Sequence, residues 1–279
     1  AAAVALGVPA DAILAGNGSD DILTIATRTF LAPGDALAFP SPTYSLYSVL
    51  AQLQDALVVS VPWADGWSLP TDALVASGAR AIYLANPNAP SGTAVSVAAV
   101  EELARRFDGT LLVDEAYADF ADADCLELAL RLPNVIVSRT LSKSYALAGI
   151  RFGFAVARAE IVREMAKVKD SYNCDAVAIA AATAAIADQE YARSIWRKVC
   201  AERDRLTRLL VERGWNVLPS QANFVLATVP GGDAKRWLLA LKERGVLVRH
   251  FDAAGLEDKL RITVGSPEEN DALLAAIDA

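Results

Sequence analysis

Lys143 stands among residues that a surface lysine does not need. The stretch SRTLSKSYALAGIR, residues 138–151, sets it between the hydroxyls of Thr140, Ser142 and Ser144 and ahead of Arg151. Upstream, DEAY at 114–117 places Asp114 at the end of an apolar run and Tyr117 just beyond it. A lysine amine that condenses with a carbonyl as a Schiff base works beside four kinds of group. It uses a carboxylate for a pyridinium nitrogen, hydroxyls and an arginine for a phosphate, and a phenol near the imine. All of those residue types are present. A carboxylate buried at a strand end is costly unless paired, so Asp114 calls for a cation such as a protonated ring nitrogen. The alternative is a solvated strand-end acid, and Lys143 at the end of the next strand weighs against it.

Three further stretches carry the same polarity. GNGSDD at 16–21 opens the apolar helix ILTIATRTFL. Free N–H groups at a helix start make an anion site, and glycine lets a phosphate approach the main chain of Gly18, Ser19 and Asp20. The alternative is an ordinary Ser19 N-cap with acids complementing the dipole. Asp20 and Asp21 would repel a phosphate unless turned away and offset by Arg151 or Lys143. In FPSPTYSLY, Tyr44 follows a strand and begins a helix, at the sheet edge where ligands of open α/β sheets bind; its ring can stack on a planar heterocycle or serve as packing. NPNAPSGT at 86–93 is a turn-rich loop whose Asn86 and Asn88 can offer amides or can simply stiffen it.

The elements that must position these residues are legible as alternation. Apolar runs at 36–39, 56–61, 80–85, 110–114, 134–138 and 152–157 are separated by helical patterns near 19–31, 43–53, 96–107 and 124–131. Continuous rather than alternating apolar runs indicate strands covered on both faces, hence a mostly parallel α/β sheet. A long helix is expected at 189–213 with Gly214 as its left-handed cap, followed by strands in NVLPSQANFVLATV, VLVRHF and KLRITVG. Helices at about 233–244, capped by Gly245, and from Pro267 complete this part. The division reads as a large domain at 10–188 and a smaller α+β domain at 189–279. The first residues read as a helix tail entering a fold already under way, with an upstream segment expected.

Composition narrows the partners. A net charge of −8 argues against a nucleic-acid surface, which needs clustered Lys and Arg. Cys125, Cys174 and Cys200 fit neither a metal pattern nor a disulfide framework, so they read as core filler in a reducing cytoplasm. The single histidine, His250, rules out HExxH zinc chemistry, and without a G-x-S-x-G elbow it reads as a strand-end residue. The apolar stretch at 176–187 is too short to span a bilayer. Small-molecule chemistry is what remains.

Ser142-Lys143 through Arg151 and Gly153 resembles the S-K-x-x-x-L-A-G-x-R-x-G signature of the aspartate-aminotransferase-like, fold-type I enzymes that use pyridoxal 5'-phosphate. GNGSD, PTYSLY, NPNAPSGT, VDEAY, GVLVRHF and LRITVGSPEEN are similar, more closely, to the histidinol-phosphate aminotransferase family. The resemblance runs from residue 16 to the C-terminus. It implies Lys143 as the Schiff-base lysine and proton shuttle, Asp114 on the pyridinium nitrogen, Tyr117 on the cofactor's O3′ and Tyr44 stacked on its ring. It also implies that the Ser19 and Asp20 amides, Thr140, Ser142 and Arg151 hold the phosphate. Arg261, with Arg249 as a second contact or a surface residue, would grip the anionic end of the substrate. The implied activity is transamination of histidinol phosphate with glutamate and 2-oxoglutarate in histidine biosynthesis, with aromatic amino acids as further substrates. The implied assembly is a homodimer. A lyase of the threonine-phosphate decarboxylase type and a silent fold-type I fragment are the alternatives. Two departures stand out. Ala89 occupies the place of the asparagine that many relatives direct at O3′, leaving Asn86, Asn88 or Tyr117 to serve, and no Asn-Pro-Tyr-like N-terminal arm is present.

Overall fold

Each long apolar run becomes a strand buried from both sides. The computed structural model describes residues 1–279. In chain order it contains α1 (Ala2–Leu6), β1 (Ile13–Gly16), α2 (Ser19–Phe30), β2 (Ala36–Ser41), α3 (Leu46–Leu53), β3 (Leu57–Pro62), α4 (Thr71–Val75), β4 (Ala81–Ala85) and α5 (Val97–Arg106). Next come β5 (Thr110–Asp114), α6 (Leu126–Arg131), β6 (Val135–Thr140), β7 (Gly153–Ala157), α7 (Ala159–Val168) and α8 (Ala176–Ala187). The 24-residue helix α9 (Gln189–Glu212) leads to β8 (Asn216–Val217), β9 (Phe224–Thr228), α10 (Ala234–Glu243), β10 (Arg249–His250), β11 (Lys259–Thr263) and α11 (Pro267–Asp278).

The large sheet has the order β1-β7-β6-β5-β4-β2-β3. Strands β2 to β6 are mutually parallel, while β7 runs antiparallel to both β6 and β1. The small sheet, β10-β11-β9-β8, is antiparallel throughout. The mostly parallel α/β class expected from the sequence is the class observed.

Side-chain alternation along the strands assigns the faces. Leu111, Val113, Val135 and Val137 join α5, α6 and α8 in one core, whereas Leu112 and Ile136 join α2, α3 and α7 in the other. Asp114 and Ser138 follow Leu112 and Ile136 by two residues and pair in register, so they face α2 and α3. Glu115 and Arg139 continue the opposite face. This parity places two neighbouring acids in different environments.

Several elements differ from the sequence reading. Four-residue β1 and helix α7 were not expected; β1 is fixed by residue-for-residue pairing with β7, and α7 by burying Ile161, Val162 and Met165. VLVRHF yields only a two-residue strand, because Val246 and Val248 turn into the small core instead. Helix α9 ends as expected: Gly214 is left-handed at φ 79°, and the Trp215 N–H returns to the Leu210 carbonyl at 3.1 Å. No helix is long and apolar enough to cross a membrane.

Candidate active site

Helix α2 begins on Gly18, whose φ of 90° suits glycine, and no side chain caps it. Ser19 is therefore the first helical residue rather than the cap, and the first-turn N–H groups are left for a ligand. Asp21 is held off the cleft, while Asp20 stays on its wall and is offset by Arg151. Asp21 accepts from the Asn17 N–H at 2.9 Å and from Asn173 Nδ2 at 2.8 Å. Asp20 accepts from Tyr44 Oη at 3.2 Å and lies 3.4 Å from Arg151 Nη2.

Two glycines let the phosphate-sized corner close. A Cβ on Gly18 would stand 2.7 Å from Arg151 Nη2, and one on Gly153 would stand 2.5 Å from the Ser19 nitrogen. At the end of β6, Thr140 Oγ1 donates to Ser142 Oγ at 3.0 Å, aligning two hydroxyls with that corner. Arg151 adopts the left-handed backbone region at φ 53°. One helix start, two hydroxyls and a guanidinium thus converge.

Opposite lies Asp114, buried, its Oδ1 accepting from Ser138 Oγ at 2.9 Å and its Oδ2 from Tyr47 Oη at 3.0 Å. Burial pushes its carboxyl above the ordinary 3.8 despite those two donors, and no cationic side chain lowers it. The expected cationic partner is not supplied by the protein. Lys143 Nζ lies 5.6 Å from the centroid of the Tyr117 ring, and Tyr117 packs edge-on against Phe224 at 5.1 Å. Burial raises the Tyr117 phenol, and pushes that of Tyr44 up to about 12 with help from Asp20.

These groups line one cleft that is open to solvent. Ser19, Asp20, Tyr44, Asp114, Tyr117, Thr140, Ser142, Lys143 and Arg151 all contribute to its wall. Two expected amides are not brought there. Asn88 is fully buried; its Oδ1 accepts from Thr43 and its Nδ2 donates to Pro42 O and Ser91 Oγ, so the amide shapes the loop. Asn86 likewise spends both ends of its amide on Val95. Ala89 lines the cleft and carries no donor, leaving Tyr117 as the hydroxyl on that side.

Arg261 and Arg249 pair across β11 and β10 in the small sheet, outside that lining. The Arg261 guanidinium lies 4.9 Å from the Phe224 centroid and 5.4 Å from that of Phe251, and Arg249 also stacks on Phe251. Burial, reinforced by Arg249, lowers the Arg261 pKa. An aromatic-cation stack therefore leads from Tyr117 through Phe224 to two arginines. His250 bonds the Glu257 carbonyl at 3.0 Å in the structural role expected of it.

The sequence reading missed Tyr47 and Ser138, which hold Asp114, and Arg139, which gathers Glu115, Asp119 and Asp124 behind it. Strand parity was the available signal for Ser138 and Arg139. Nothing local marks Tyr47.

A parallel-sheet edge joining a free lysine, a buried unpaired aspartate and an anion corner defines a cofactor-dependent group-transfer site. The chain belongs to the family Aminotransferase class I and II, whose profile matches residues 4–277. Histidinol-phosphate aminotransferase of Rhodopirellula baltica is 46% identical over 280 residues, covering 100% of this chain and 77% of that one. Histidinol-phosphate aminotransferase 1 of Trichormus variabilis is 44% identical over 277 residues, 99% of this chain and 79% of its own. The crystal structure of histidinol-phosphate aminotransferase from Sinorhizobium meliloti in complex with pyridoxal-5'-phosphate superposes with a TM-score of 0.91 at 28% identity, covering 99% and 78% of the two chains. The fold is that of the fold-type I enzymes.

Proposed function

We propose that this protein transaminates histidinol phosphate with glutamate and 2-oxoglutarate, using pyridoxal 5'-phosphate held in the cleft, and that it serves histidine biosynthesis in the cytoplasm. The observation that carries this reading is Asp114: a buried carboxylate with two hydroxyl donors and no protein cation, facing a free lysine across the cleft. A protonated pyridine nitrogen is the partner it lacks. The identities of 44–46% to histidinol-phosphate aminotransferases support the substrate.

In this reading the Ser19 and Asp20 amides, Thr140, Ser142 and Arg151 bind the cofactor phosphate, with Gly18 giving it access to the main chain. Tyr44 stacks on the ring and Tyr117 donates to O3′. The bound cofactor supplies an electron sink for the substrate's Cα carbanion character. Lys143 Nζ would supply the amine that anchors the carbonyl and, when free, would take the substrate's Cα proton and return it to the carbon on the far side of the amino nitrogen. Arg261 and Arg249 attract the phosphate of one substrate and the carboxylate of the other in turn, for which neither has an internal carboxylate partner to leave. Residues 10–188 form the cofactor domain and 189–279 the small one.

We propose a homodimer as well. Tyr172 (93% exposed), Val177 (72%) and Ile179 (48%) are exposed apolar side chains on the segment that Asn173 ties to Asp21 in the first turn of α2. A second copy would cover these side chains.

Single-turnover mixing tests the substrate. Histidinol phosphate and glutamate are each expected to convert the bound cofactor to its amino form, with phenylalanine slower. No conversion by histidinol phosphate would remove it as substrate, and release of carbon dioxide from threonine phosphate without an oxo-acid acceptor would place the enzyme among the lyases instead.

A further inference from the structure

Tyr47 is fully buried at the start of α3, and its phenol has one hydrogen-bond partner, Asp114 Oδ2 at 3.0 Å. Its ring is wedged among Phe39 (5.8 Å between centroids), Tyr44 (5.8 Å) and Tyr83 (5.4 Å), so the hydroxyl has no room to swing away. The contact with Tyr44 is edge-on at 85°, which means that Tyr47 also backs the ring exposed to the cleft. From the other side, Ser138 donates to Asp114 Oδ1 at 2.9 Å. Each carboxylate oxygen thus has one hydroxyl donor, and the Ala116 backbone N–H adds a weaker one.

We infer that Tyr47, assisted by Ser138, is a positioning residue that keeps the proton of the Asp114–ring-nitrogen pair on the nitrogen. This rests on the pyridoxal phosphate reading above. A buried aspartate facing a pyridine can take the proton itself, giving a neutral pair and a weaker electron sink. Two hydroxyl donors stabilise the carboxylate specifically, because they donate to its charged form. Burial pulls the other way. The groups facing this pair from neighbouring elements are Asp20 on α2, Tyr44 ahead of α3, Tyr117 after β5, and Lys143 and Arg151 beyond β6. Asp20 pushes in the same direction as burial, raising Asp114 further. Tyr47 and Ser138 are the side-chain donors aimed at the carboxylate itself, beside the Ala116 backbone N–H.

Tyr83 provides an internal control. It is as deeply buried, but its hydroxyl bonds Thr27 at 2.8 Å and the Leu23 carbonyl at 3.3 Å rather than Asp114. The holoenzyme variants Tyr47→Phe, Ser138→Ala and Tyr83→Phe, loaded with cofactor isotopically labelled at the ring nitrogen, separate tuning from packing. The ring-nitrogen NMR shift is expected to be that of a protonated nitrogen in the wild type and in Tyr83→Phe. It should move toward the unprotonated value in both Tyr47→Phe and Ser138→Ala. With one pKa unit equal to a tenfold change in the proton equilibrium, kcat should fall about tenfold in Tyr47→Phe while KM stays within about twofold. An unchanged nitrogen shift in both Tyr47→Phe and Ser138→Ala, with a protonated wild type, overturns this inference alone. A wild type that binds no pyridoxal phosphate overturns the cofactor reading beneath it.

Discussion

Lys143→Ala is expected to lower the single-turnover rate with histidinol phosphate by at least about 10⁴-fold while leaving the fold intact. Positioned proton transfer by itself contributes about 10²–10⁴-fold, and Lys143 has a second task as the anchoring amine. The fold should not notice the change, because Lys143 is exposed and its turn is held by its neighbours. Ser144 Oγ donates to Asp119, Trp196 Nε1 donates to the Ser144 carbonyl at 2.9 Å, and Gln189 Nε2 donates to Tyr145 Oη at 2.9 Å. Tyr145 also packs edge-on against Trp196 at 5.5 Å. A surface truncation away from those contacts changes stability by roughly 0.5 kcal/mol or less. The paired measurement is therefore single-turnover rate against thermal midpoint. Lys143→Arg should be equally inactive, since a guanidinium keeps the charge but is neither a nucleophile nor a base near neutral pH. A variant that retains rate within tenfold of the wild type would remove Lys143 from the chemistry.

The residues around Lys143 were legible because they lie in strand-end segments, where the chain's own structure gives polar types no other reason to cluster. Asp114 ends β5 and Lys143 lies in the turn just beyond the adjacent parallel strand β6, and apolar runs of the right length are enough to bring those ends together. Which of Asp114 and Glu115 faces the cleft is decided by pleat parity, and the same parity would have delivered Ser138 and Arg139. Tyr47 was not legible, because its contact with Asp114 spans 67 residues and depends on how α3 lies over the sheet. Asn88 misled for a related reason. A loop amide looks like a ligand group until the loop folds over it and uses every hydrogen bond internally. Distances between the small sheet and the cleft are equally absent from sequence, so Arg249 and Arg261 could be named as anion contacts but not placed.

Arg139→Met should be the most destabilising single change near the site, by about 3–5 kcal/mol, because it removes the cation from a buried cluster and leaves its acids behind. The Arg139 side chain is 7% exposed; its Nη2 lies 2.9 Å from Glu115 and 3.0 Å from Asp124, and its Nη1 lies 3.0 Å from Asp119. Methionine keeps the length of the stem, so the loss is mostly electrostatic. The pH dependence distinguishes this from a packing defect. Burial holds the Glu115 carboxyl up at about 7 against the ordinary 4.5, even with Arg139 pulling it down. A raised carboxyl binds its proton more tightly in the folded state, so its contribution is full below 4.5 and is lost as pH rises through 7. Without Arg139 that window extends upward. The deficit of Arg139→Met measured by urea unfolding should be largest at alkaline pH and shrink on acidification toward pH ~5. Adding Glu115→Gln should recover part of it, since the amide oxygen can still accept from the Cys125 N–H that Glu115 now receives at 2.6 Å. A deficit that is flat with pH and unmoved by Glu115→Gln would mean that Arg139 acts through packing. Because Asp119 links Arg139 to Ser144 beside Lys143, the same variant should lose kcat as well as stability, coupling the buried ion cluster to the position of the reactive amine.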